Sequence, residues 1–193
     1  MSTAMPPLHT ERLVIRPFAI DDLEAAHRVM SDAWGVASGE QPALLQRRER
    51  WLRWAVANYH ELADLNQPPY GDRAIMRLED DLLIGSIGLV PSLGPFGLLP
   101  GFPANQGSPR FYPEVGLYWA IAPAHQDNGY ATEAARAVID FAFERMNLGR
   151  MVATTEHDNA RSIRVMQKLD MQILRNPHTE PPWFQVVGVI QRN

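Results

Sequence analysis

The residues best suited to chemistry form a short run, Gln126-Asp127-Asn128-Gly129-Tyr130-Ala131. Glycine at 129 permits a backbone turn that other residues resist, and Ala131 keeps the next approach close. A helical pattern follows immediately. The run would therefore set a row of backbone N–H groups at a helix N-terminus, a natural seat for a pyrophosphate. It has no Gly-Lys-Ser/Thr ending, so it is not a Walker phosphate loop. It also lacks the three glycines of the dinucleotide fingerprint. Taken alone, it fits an ordinary strand-to-helix connection equally well.

Two elements must position this run. Before it, Val115, Leu117, Trp119 and Ile121 alternate with Glu114, Gly116, Tyr118 and Ala120, a strand pattern that Pro123 stops. After it, Ala131, Ala134, Ala135, Val138, Ile139, Ala142, Phe143 and Met146 recur at three- and four-residue spacing, with Glu133 near the positive end of the helix. Upstream, Arg12–Phe18 reads as a first or edge strand, and Asp21-Asp22 open a helix to Ser31. A second helix follows Pro42, with Arg47, Arg48, Glu49, Arg50 and Arg53 on a solvated outer face. Ala74–Leu78 and Leu82–Val90 form a hairpin turned at Glu79-Asp80-Asp81. From Pro91 to Pro113, prolines and glycines break any regular element, yet Phe96, Leu98, Leu99 and Phe102 require packing partners. Two further strand-helix units and a closing strand, Trp183–Ile190, complete a mixed α/β sheet with flanking helices, read as one domain over residues 1–193.

Composition narrows the functional classes. There is no cysteine, which excludes disulfides, thiolate metal sites and a cysteine nucleophile. A formal charge of -4 gives no support to a nucleic-acid groove or an anionic membrane surface. No apolar run approaches the ~18 residues of a membrane span, and the N-terminus has no signal-peptide pattern. The expectation is a cytoplasmic protein with no metal.

Three blocks, in order along the chain, resemble one family. Gln126-x-x-Gly129-x-Ala131 looks like the Q/R-x-x-G-x-G/A coenzyme A motif of the GNAT superfamily of N-acetyltransferases. Asn159-Ala160-Arg161-Ser162, followed by Val165, Lys168 and Leu169, resembles its N-x-x-S…KLGF helix. Thr10-Glu11-Arg12-Leu13-Val14-Ile15-Arg16-Pro17 looks like the TERLxLRP opening of the ribosomal-protein N-terminal (alanine/serine) acetyltransferase branch. The resemblance implies a mostly antiparallel, twisted sheet in which two central parallel strands splay to admit coenzyme A. It also implies acetyl-CoA as co-substrate. Trp119, Ala120 and Ile121 would pair with the pantetheine arm, the N–H groups of Asp127, Asn128, Gly129, Tyr130, Ala131 and Thr132 would hold the pyrophosphate, and Asn159 would bond the pantetheine region.

Acyl transfer from a thioester to an amine needs a neutral amine, donors for the oxyanion and a proton for the leaving thiolate. Glu114, which starts the central strand on the same face as Tyr118, is the candidate base; a solvated glutamate at a strand edge is the plain alternative, and Glu156 and His157 are rivals. Many relatives carry a tyrosine acid seven residues beyond the motif asparagine, where this chain has Met166. Ser162 could stand in, or could simply belong to the first turn of its helix. Asp170-Met171 replaces the family's Gly-Phe, so Asp170 must end the helix without glycine's freedom or adopt a left-handed conformation. The expected activity is acetyl transfer to a primary amine, either a small molecule or a protein N-terminus, by direct attack in a ternary complex. The resemblance allows for a homodimer. The competing class is a catalytically weak acyl-CoA-binding or sensing module.

Overall fold

A computed structural model describes residues 5–36, 42–102 and 110–192. Strands β1 (Leu8–His9), β2 (Leu13–Pro17), β3 (Gly71–Arg77), β4 (Leu82–Gly94), β5 (Tyr112–Ile121), β6 (Arg150–Thr155), β7 (Gln172–Arg175) and β8 (Val186–Gln191) form an eight-stranded sheet in the order β1-β2-β3-β4-β5-β6-β8-β7. Helices α1 (Leu23–Ala33), α2 (Pro42–Asp64), α3 (Tyr130–Glu144) and α4 (Ala160–Lys168) flank it. The expected mixed α/β architecture is therefore present, mostly antiparallel with one parallel pair, β5 with β6.

That parallel pair is registered at a single position, Gly116 opposite Val152. β5 has ten residues and β6 has six, so most of their length leaves the ladder.

Two compact units are distinguishable. One comprises residues 1–88 and 119–146. In it, α1 and α2 cover one face of β3. Ala26, Val29 and Leu52 pack with Ala74, Met76 and Leu83, and Phe18 meets Trp51 edge-on at 5.1 Å. The second unit comprises residues 89–118 and 147–193. There β8 lies between β6 and β7, and Phe96, Leu99 and Phe102 join Val152, Leu174, Phe184, Val187 and Val189 in one cluster.

Four details depart from expectation. β4 runs through Pro91 to Gly94. It has 13 residues against seven in β3, so its last part outruns that neighbour. The rest of the Pro91–Pro113 stretch is partly ordered, with Phe96 in a single 3-10 turn; residues 103–109 lie outside the described residues. Trp183 and Phe184 belong to another 3-10 turn, and the closing strand starts at Val186. Arg48, expected on the solvated face of α2, is buried, with its guanidinium over Trp34 at 5.1 Å and over Trp51 at 5.2 Å. An arginine can bury its apolar stem and stack on an indole face, which a charge count along the helix does not register. The helical spacing also missed β1 and β7, which are two and four residues long.

Asp170 takes the left-handed alternative, with φ of 60°. Its N–H donates to the carbonyl of Gln167, and that of Met171 donates to the carbonyl of Met166. α4 thus ends in a Schellman motif with aspartate where glycine is usual.

Candidate active site

β5 ends at Ile121, and the chain passes through a 3-10 turn, Pro123–His125, into the Gln126–Gly129 loop. The loop makes its turn with two left-handed residues, Asp127 (φ 61°) and Gly129 (φ 82°). Gly129 is the N-cap of α3 and has no side chain with which to cap it. The first-turn N–H groups of Tyr130, Ala131 and Thr132 therefore meet no side-chain cap, at the positive end of a 15-residue helix. Two side chains of the loop bond to nearby backbone. Gln126 Nε2 donates to the carbonyl of Ile121 at 2.8 Å, and Asn128 Nδ2 donates to the carbonyl of Gln126 at 2.8 Å. Such a loop presents backbone donors beside the exposed Asp127 side chain.

Trp119, Ala120 and Ile121 form the end of β5, beyond its paired position at Gly116. A Cβ at Gly85 would lie 2.5 Å from the Ala120 carbonyl oxygen, so only glycine lets β4 approach this strand end. Ala122 N–H donates to the Ile84 carbonyl at 3.0 Å and anchors the same point.

The opening Thr10-Glu11-Arg12 motif has a physical role that its sequence did not reveal. Thr10 Oγ1 donates to Glu133 Oε1 at 2.6 Å, and Arg12 N–H donates to the same oxygen at 2.9 Å. Arg12 Nε donates to Glu133 Oε2 at 2.8 Å, while Nη1 donates to the Asn128 carbonyl at 3.1 Å. The guanidinium also lies 4.7 Å from the centre of the Tyr130 ring. The start of the chain therefore clasps both the loop and the first turn of α3. Partial burial disfavours the Glu133 carboxylate, but Thr10, the Arg12 N–H and the Arg12 guanidinium outweigh it and hold the group below its ordinary value. Sequence spacing could not find this clasp, because its partners are 116 to 123 residues apart.

In the second unit, Glu114 does not face water as a free base. Arg150 grips it with both arms, Nε to Oε2 at 3.0 Å and Nη2 to Oε1, and the Glu114 side chain is 6% exposed. Arg150 in turn lies over the Phe102 ring at 4.5 Å. Asn159 caps α4: its Oδ1 accepts the Ser162 N–H at 3.1 Å, and its amide NH₂ takes no part in the cap. Ser162 is half-buried on the first turn of α4. Met166 is 1% exposed and packs by its sulfur against Gly188 of β8, so the position of the usual tyrosine acid is part of the core. The rival His157 lies in a turn, with its N–H on Gln185 Oε1 and its Nδ1 3.3 Å from Arg175 Nη1. Among the described residues, no group of three or more His, Asp or Glu side chains is placed to hold a metal ion, and no helix is long and apolar enough to cross a membrane.

A family model described as an acetyltransferase (GNAT) domain matches residues 12–172. The chain belongs to the GNAT acetyltransferases and is an acetyl-CoA-dependent N-acetyltransferase by that membership. It is similar to the uncharacterized N-acetyltransferase YnaD of Bacillus subtilis, 28% identical over 167 residues, covering 84% of this chain and 81% of the relative. Its structure resembles an acetyltransferase from Agrobacterium tumefaciens, with a TM-score of 0.67 and 26% identity over 98% of this chain and 96% of the other. The ribosomal-protein-S5-alanine acetyltransferase of Vibrio fischeri shares the fold at a TM-score of 0.67 and 14% identity, covering 98% of each chain. The fold expected from the N-terminal motif is thus shared with ribosomal-protein acetyltransferases.

Proposed function

We propose that the protein transfers an acetyl group from acetyl-CoA to a primary amine by direct attack, with the whole chain acting as one acetyltransferase domain. The amine nitrogen bonds to the thioester carbonyl carbon, the carbon–sulfur bond breaks, the amine loses a proton and the thiolate of coenzyme A gains one. The observation that carries this reading is the uncapped N-terminus of α3 behind two left-handed residues, a seat built from backbone donors for a diphosphate. Asp127 through Thr132 would hold that diphosphate, and the backbone of Trp119, Ala120 and Ile121 would pair with the pantetheine arm. For Asn159, the amide NH₂ is the half of the side chain open to a cofactor role. Glu114 and Ser162 are carried forward as proton acceptor and donor, and for Glu114 that role requires giving up one arm of the Arg150 fork. A small-molecule amine or a protein N-terminus would serve as acceptor; the likeness to an S5-alanine acetyltransferase supports the second.

A second reading, an acyl-CoA-binding module with little turnover, is favoured by two observations. Met166 fills the position of the usual tyrosine acid as part of the core, and both oxygens of Glu114, the expected base, accept from Arg150. The separating experiment is release of free coenzyme A by the purified protein across a panel of amines. Turnover with any amine supports the enzyme. Tight acetyl-CoA binding without release by any amine supports the module.

A further inference from the structure

Arg73 is the buried charge that the preceding reading does not use. It lies on β3, where Asp72, Ala74 and Met76 serve the side covered by α1 and α2: Trp51 Nε1 donates to Asp72 Oδ2 at 2.6 Å, and Ala74 and Met76 join the core with Leu52. Strand alternation groups Arg73 with Ile75 and Arg77, but the Arg73 guanidinium ends against Tyr59 of α2, on the helix-covered side. Arg77 has clear partners, Asp80 at 2.6 Å and the Tyr130 side chain. Arg73 has none of that kind. It is 4% exposed, its Nη1 is buried without a hydrogen-bond partner, and no carboxylate is paired with it among the described residues.

Its charge faces the Tyr59 ring, 5.5 Å from the centroid. Tyr59 cannot supply a counter-charge. Its hydroxyl donates to the Asp72 carbonyl and accepts the Phe18 N–H at 3.0 Å, and burial pushes the phenol up, so it stays neutral. Burial also pushes Arg73 down to about 10, partly offset by Tyr59, and the guanidinium remains charged at neutral pH. A buried guanidinium without an anion is costly, and a hydrophobic residue of similar volume would be the more stable choice. Such a group calls for an anion that arrives from outside.

The cofactor is a poor source of that anion. Its diphosphate belongs, in the reading above, at the Gly129 loop, where Tyr130 meets Arg77. Arg73 lies four residues from Arg77 along an extended strand, roughly 13 Å away. The pantetheine arm is uncharged, and the 3′-phosphate sits on the adenosine, on the far side of the diphosphate from the reacting thioester. The acceptor remains.

We propose that Arg73 docks a carboxylate carried by the amine acceptor, so that the substrate class is amino acids or related acidic amines. This rests on the amine-acetyltransferase reading. A guanidinium presents a planar pair of donors that fits a carboxylate fork, and a buried setting strengthens the pair. A polycationic acceptor would meet repulsion at the same place.

The test offers the purified protein free amino acids beside their amides and follows acetyl-CoA consumption. kcat/KM for each acid should exceed that for its amide by at least tenfold. Arg73→Met should collapse this ratio toward one, with a melting temperature equal to or above that of the unsubstituted protein, and Arg73→Lys should retain part of the preference. An initial ratio at or below one, or a preference that survives Arg73→Met, overturns the proposal. A lower melting temperature with unchanged preference assigns Arg73 to the fold instead. Thermal shift with N-acetylglycine against N-acetylglycinamide needs no turnover. The acid should stabilise the unsubstituted protein more than the amide does, and the difference should vanish in Arg73→Met; equal shifts overturn the idea. If no amine consumes acetyl-CoA, the proposed function fails, while this binding comparison still decides the role of Arg73.

Discussion

Two arginine–glutamate pairs in this protein have the same chemistry and opposite settings. Arg12 and Glu133 meet at the Gln126–Gly129 loop, with side chains 43% and 17% exposed. Glu133 also has the Thr10 hydroxyl and the Arg12 backbone N–H, so its carboxylate stays satisfied if the guanidinium is lost. Glu114 and Arg150 meet in the second unit, where the carboxylate is almost fully buried and the fork supplies both of its donors. The first pair shapes a loop that water can reach. The second holds a carboxylate that is 6% exposed under an arginine that is 31% exposed. Removing one partner should therefore alter binding in the first case and stability in the second.

The largest expected effect separates base from anchor at the second pair. If Glu114 takes the amine proton, Glu114→Gln lowers turnover by ~10²–10⁴ with acetyl-CoA affinity kept. If it is only an anchor, turnover at saturating substrates stays within about tenfold and the melting temperature falls. Steady-state kinetics beside a melting curve would decide. Arg150→Met, which strands the Glu114 carboxylate, should cost about 3–5 kcal/mol in denaturant unfolding. A loss below about 1 kcal/mol would mean that the carboxylate finds other donors, and the contrast between the pairs would fail.

At the first pair the expected changes are smaller and appear in the cofactor. Gly129→Val puts a β-branched residue at φ of 82° and should weaken acetyl-CoA binding at least tenfold, or ~1.4 kcal/mol. Unchanged calorimetric affinity in a folded variant would remove the diphosphate seat from this loop. Arg12→Gln should raise the KM for acetyl-CoA several-fold, more than it lowers kcat, because it frees the Asn128 carbonyl while leaving Glu133 held. An equal fall in both constants would point to general damage instead.

The smallest effect concerns pH. The folded Glu133 carboxyl is held below its ordinary value, so its contribution is complete above that value, about 4.3, and is lost as pH falls through the lower folded one. Acetyl-CoA affinity should not fall on account of this group between neutrality and about pH 5, where unfolded glutamates are still mostly ionised. Glu133→Gln should show reduced affinity throughout that range. A variant with unaltered affinity would make the clasp ornamental.

The alternation through Glu114–Ile121 and the 3.6-residue spacing after Gly129 determined β5 and α3 within two residues, because each buries one face and local periodicity records it. The three motif blocks likewise indicated the family, since a loop that works through backbone donors needs glycine at one place and small residues beside it. Asp170 was legible as a choice between two endings, and its left-handed φ decided it.

What tertiary structure alone decided are pairings between distant residues. Nothing local in Thr10-Glu11-Arg12 points to Glu133, and nothing in Glu114 points to Arg150. The short strands β1 and β7 are too brief to show a period and exist because longer neighbours offer them a ladder. Arg48 read as a surface charge and Arg73 carried no reading at all, for a sequence counts charge but not the water around it. Folding put one between two indoles and left the other buried without an anion, because burial is set by what packs over a residue from elsewhere in the chain.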